Sequence, residues 1–92
     1  MTSLRLRAIT GYPLADQRVR ETVVATANAI AERTGVSIGT VNADGDSVIV
    51  EIDAGEVVAV GFLAELRRLT NAWYEGKFGR SLWGEPPSED EP

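Results

Sequence analysis

Apolar residues recur along this chain with two different periods. Leu4, Leu6 and Ala8 alternate with Arg5, Arg7 and Ile9. A period of two marks a strand with one face on a core, so Leu4–Thr10 is predicted as a strand, broken by Gly11 and Pro13. After Asp16 the period lengthens: Val19, Val23, Ala27, Ile30 and Ala31 form one helical stripe over Gln17–Thr34. Asp16 suits the N-cap, and Gly35 suits the left-handed position that ends a helix.

Alternation returns in Val36–Asp53, VSIGTVNADGDSVIVEID, which predicts a β-hairpin. A three-residue loop, Ala43-Asp44-Gly45, would pair Val36 with Ile52, Ile38 with Val50 and Thr40 with Val48. Gly45 would then take the left-handed bulge position. A second helix is predicted from about Glu56 to Gly76, with Ala59, Phe62, Leu63, Leu66, Leu69, Thr70 and Trp73 as its stripe. Residues 56–60 also suit a short strand, but the stripe runs back through Ala59 into Val58 and favours helix. Ser81-Leu82-Trp83 suits a short last strand.

The predicted order is β-α-β-β-α, with a possible terminal β. Strand, crossover helix, hairpin and helix suit an α+β two-layer open sandwich, with both helices on one face of a small antiparallel sheet. This order resembles the ferredoxin-like fold. The likeness is one of element order and rests on no sequence motif, and that fold hosts many functions. The expected organisation is one domain over residues 1–84 and an acidic, disordered tail over 85–92. On the uncovered face, Arg5 and Arg7 are expected to pair across strands with Glu51 and Asp53. Ile9, Ser37, Gly39, Val41 and Ile49 share that face. The mix is too apolar for water and too charged for a core, which predicts a homodimer.

Charge sharpens the boundary of the tail. The 92 residues carry a formal net charge of −5. Nine cations and ten anions precede Glu85, and Glu85, Glu89, Asp90 and Glu91 supply the remaining acidity. The body is therefore nearly neutral, which argues against a nucleic-acid footprint. No apolar run is long enough for a membrane span and no leader-like stretch opens the chain, so a cytoplasmic location is expected.

The chain contains neither cysteine nor histidine. Disulfides, thiol nucleophiles, thiolate zinc sites and Ser-His-Asp triads are excluded by composition. Asn42–Ser47 has oxygen side chains in a calcium-loop rhythm, but Ser47 stands where that loop needs glycine and Asp53 where it needs glutamate. Gly39–Gly45 lacks the Gly-Lys-Ser/Thr of a phosphate loop. Asp44 and Asp46 sit at a hairpin tip that offers no pocket to shift a carboxylate's pKa. No catalytic residue, metal site or cofactor is therefore assigned.

The stretch WYEGKFGRSLWG, Trp73–Gly84, holds both tryptophans and the only lysine. Trp73, Tyr74, Lys77, Phe78, Arg80, Leu82 and Trp83 are the candidate partner-binding residues, since aromatic and cationic groups anchor interfaces. The competing reading folds Phe78, Leu82 and Trp83 back over the small core. The expected function is a non-catalytic protein-interaction or regulatory module that self-associates through the open sheet face and this segment. The alternative is a domain binding RNA or single strands, with Arg67, Arg68, Lys77 and Arg80 on the backbone and the aromatics stacking on bases.

Overall fold

The computed structural model describes residues 2–9 and 11–83. The tail expected at 85–92 lies outside the described residues. Three strands form one antiparallel sheet: β1 (Thr2–Arg7), β2 (Ser37–Ala43) and β3 (Ser47–Asp53). Their spatial order is β1-β3-β2, so β1 and β2 run parallel to each other on either side of β3. Helix α1 (Gln17–Thr34) lies against β2, and helix α2 (Glu56–Phe78) lies against β1 and α1. A 3-10 turn, Pro13–Ala15, precedes α1 and buries Leu14, a core residue that no periodicity marks.

The core forms between the helices and one sheet face. Leu6, Val48, Val50 and Ile52 enter it from the sheet. Val19, Val23, Ala27 and Ile30 enter it from α1, and Ala59, Phe62, Leu63 and Leu66 from α2. Most of each helical stripe read from the sequence is buried, whereas Ala31, Leu69 and Trp73 are only partly so and Tyr74, outside the predicted stripe, is buried. Both ends of α1 follow their chemistry: the Asp16 carboxylate accepts from the Arg18 N–H at 2.8 Å, and Gly35 has φ 75°. Residues 56–60 are helical, and α2 continues through Gly76 to Phe78 before Gly79, at φ 74°, ends it.

The hairpin register departs from the expectation. Ile38 faces Ile52, Val41 faces Val50 and Ala43 faces Val48, with a shift between Ile38 and Val41. Gly39 and Thr40 together span the position opposite Glu51, which is a β-bulge. Val36, just before β2, and Ile38, Val41 and Ala43 within it are spaced by two, then three, then two. Strict alternation would turn either Ile38 or Val41 to solvent, and one extra residue restores both to the core face. Val41 therefore packs with the core and not on the uncovered face.

The loop also differs. Asp44 N–H donates to Ser47 C=O at 2.8 Å, with Gly45 and Asp46 between them. Gly45 is not among the positive-φ glycines, which are Gly11, Gly35 and Gly79. Its lack of a side chain serves close approach: a Cβ there would stand 3.0 Å from Tyr12 Cδ1 and 3.2 Å from Tyr12 Cβ. The Leu14 N–H donates to the Gly45 carbonyl at 2.9 Å, so the hairpin tip is tied under the segment leading into α1.

The strand over Leu4–Thr10 is corrected to Thr2–Arg7, because Thr2 already pairs with Ile52. Among the described residues, the last strand reduces to one antiparallel bridge, Ala8 to Trp83. The expected pairs between Arg5, Arg7 and Glu51, Asp53 do not form. The register sets Arg5 opposite Ile49, Arg7 opposite Ser47 and Ser3 opposite Glu51. Glu51 instead accepts a hydrogen bond from the Thr40 hydroxyl. Among the described residues, no helix is long and apolar enough to cross a membrane.

Candidate interaction surfaces

The seven aromatic and cationic candidates divide into a buried set and an outward set. Tyr74, Leu82 and Trp83 are buried, with Trp83 only 2% exposed. Asn71 accounts for the turn back onto the core. Its side-chain oxygen accepts the Leu82 N–H at 2.7 Å and the Trp83 N–H at 3.4 Å. Trp83 Nε1–H donates to Thr70 Oγ1 at 2.8 Å, and Thr70 is itself buried and donates to the Leu66 carbonyl. A buried indole needs such an acceptor, because an unpaired polar group away from water is costly. Burial takes these three side chains out of any surface a partner could touch.

Lys77, Phe78 and Arg80 are exposed, and Trp73 stands between the two sets, partly buried and packed against the core. Helical spacing brings the rings and Lys77 together: Trp73 and Lys77, and Tyr74 and Phe78, are each four residues apart on α2. Lys77 Nζ lies 5.9 Å from the Trp73 ring centroid, within cation–π range. Phe78 meets Tyr74 at 4.4 Å and Trp73 edge-on at 6.3 Å, yet stays 45% exposed. The buried tyrosine thus supports an aromatic cluster whose outer member, Phe78, faces water.

Sequence reasoning missed a second apolar surface, at the start of α2. Val57, Val58 and Val60 are exposed, Val57 at 87%. The signal was present in GEVVAVG, where three valines within four residues cannot all face one stripe. Val58 borders a groove of about 410 Å³ between the helices, floored by Ile30, Val36 and Phe62. Arg33 and Glu65 close its rim with a 3.0 Å ion pair. Arg68 also grips Glu65, with Nε at 2.9 Å and Nη2 at 2.8 Å. These two guanidinium groups, Arg68 foremost, lower the Glu65 carboxyl below its ordinary pKa.

The uncovered sheet face is polar. Ser3, Arg5, Arg7, Ser37, Asn42 and Asp53 are exposed there, and Ile49 is half-buried. Its cations stand on β1 toward the hairpin end, and Glu51 and Asp53 toward the other. Among the described residues, no three carboxylates converge as a metal site. Comparison with protein-family models and with curated proteins finds no match for this chain.

Proposed function

We propose that this chain is a non-catalytic protein-interaction module that self-associates through the aromatic end of α2. One observation carries the reading: Phe78 stays exposed against the Trp73 ring, which itself packs on the core, and Lys77 lies within cation–π range of that ring. Exposed aromatic and cationic groups in contact are the composition of interface anchors. With Val41 turned inward, the sheet face offers less apolar area than expected, so weight moves from that face to the helix. A cytoplasmic location is part of this reading. So is a ferredoxin-like arrangement, supported by the β1-β3-β2 order, with the Ala8–Trp83 bridge at the place where a fourth strand would begin.

Sedimentation equilibrium at two loading concentrations tests the reading. A mass that rises toward that of a dimer with concentration is expected. Phe78→Asp should return it to the monomer with the far-ultraviolet dichroism unchanged. A monomer at both concentrations would overturn self-association. A salt-dependent mobility shift of labelled single strands would instead support the RNA-binding alternative.

A further inference from the structure

The core is left unfinished along β2. Its inward side chains, Ile38, Val41 and Ala43, face the same core as Val48, Val50 and Ile52 of β3. The β3 residues are fully buried, whereas all three on β2 stay half-buried. β3 has a strand on each side and β2 has one on its inner side only. The apolar surface that lacks cover therefore lies at the outer edge of β2.

Backbone groups point out at the same edge. The Asp44 N–H donates inward, to the Ser47 carbonyl, at 2.8 Å. Backbone groups alternate sides along an antiparallel strand, so Asn42 also turns its N–H and C=O toward β3, and Val41 and Ala43 turn theirs outward. The bulge at Gly39 and Thr40 limits the regular edge to Val41–Ala43. Edge strands are commonly guarded by charge or proline as well. β2, SIGTVNA, has neither. Thr2 and Trp83, the outermost described residues, both stand at β1, across β3 from this edge.

Helix α1 overhangs the edge. A groove of about 460 Å³ runs between Val24, Ala25 and Asn28 of α1 and Val41 and Ala43 of β2. A strand added here would set the side chains opposite Val41 and Ala43 into that groove. Its side chain opposite Asn42 would join the uncovered face, beside the exposed Thr40 and Asn42. The charges that border the groove, Arg20 and Glu21, cancel. The Arg20 guanidinium donates to the Leu14 and Ala15 carbonyls, and Glu21 accepts from Gln17. A charged occupant would thus meet no unmatched partner. A second copy pairing its own β2 here would set its α1 beside this one, since α1 lies against β2. Paired strands lie about 4.8 Å apart, whereas packed helices need about 8–10 Å between axes. The occupant is therefore an extended segment with no helix above it.

The geometry points to a strand-addition site: the outer edge of β2 at Val41–Ala43 takes an extended, uncharged partner peptide in which apolar residues alternate with polar ones. Backbone pairing supplies the attachment, and the α1 groove covers the apolar positions. This site is separate from the aromatic end of α2 and does not require self-association.

The test uses the full chain and a blocked synthetic peptide of about six alternating valine and threonine residues. Amide exchange and chemical shifts are followed by NMR. In the free chain the Val41 and Ala43 amides should exchange fast and the Asn42 amide slowly, and saturating peptide should slow the first two. A peptide alternating lysine and glutamate should bind about tenfold more weakly. The valine–threonine peptide methylated at its valine nitrogens should not bind. Ala25→Trp, at an exposed position that borders the groove, should weaken binding with the dichroism unchanged. Phe78→Asp should leave peptide binding as it was. Val41 and Ala43 amides already slow in the dilute free chain would give the edge to the chain itself, and slowing that grows with protein concentration would give it to a second copy. Either result would overturn the proposal. So would equal binding of the two unmethylated peptides, or peptide-induced shifts confined to Lys77 and Phe78.

Discussion

Trp83 shows how one residue decides between two readings of the same segment. In the sequence it stands among glycines and charges, and nothing in the pattern distinguishes a core cap from an interface anchor. The distinction is made by Asn71 and Thr70, twelve and thirteen residues earlier on α2, which accept its two N–H groups. Neither contact has a local signature, because an Asn and a Thr on a helix are ordinary surface residues until something folds onto them. Trp83→Ala should cost about 3–5 kcal/mol, the usual loss for a large buried aromatic, read as a lower urea midpoint. Trp83→Phe should cost less, since it keeps most of the apolar contact and loses the hydrogen bond to Thr70. If Trp83→Ala leaves the midpoint unchanged, the ring is not part of the core.

Among the elements, the helices were the most legible and the hairpin the least. Each helix repeats its apolar stripe over several turns, and Gly35 stops α1 where expected, while α2 runs past Gly76, its expected end, to Gly79. β2 has only seven residues, and its alternation breaks in the middle. The break was visible as the spacing from Ile38 to Val41. Fitting an unbroken ladder to it displaced the register of the hairpin. The bulge makes a sharp prediction. Deleting Thr40 should leave a cooperatively folding protein, because Ile38 and Val41 then alternate regularly and every apolar side chain keeps its face. Deleting Asn42 should destabilise the fold severely, because Val41 and Ala43 become neighbours and one must turn outward. Thermal melts of the two deletions provide the comparison, and equal losses would contradict the assigned register.

In the whole molecule, element order and the choice of which faces meet were readable, because amphipathic helices must bury their stripes and a sheet this small has one apolar face to offer. The candidate surface was readable only in part. Composition located the aromatic cluster, but which rings turn outward depends on how the chain folds back after Gly79. The sheet has one further consequence, which concerns time. Its central strand, β3, comes last in sequence, so β1 has no partner until some forty residues after its own end have been made. The β2–β3 hairpin closes a short loop and can form early, whereas β1 must wait and then cross a long one. Val50→Ala should therefore slow refolding, while Leu6→Ala should chiefly hasten unfolding, and stopped-flow kinetics showing the reverse would place β1 in the folding nucleus.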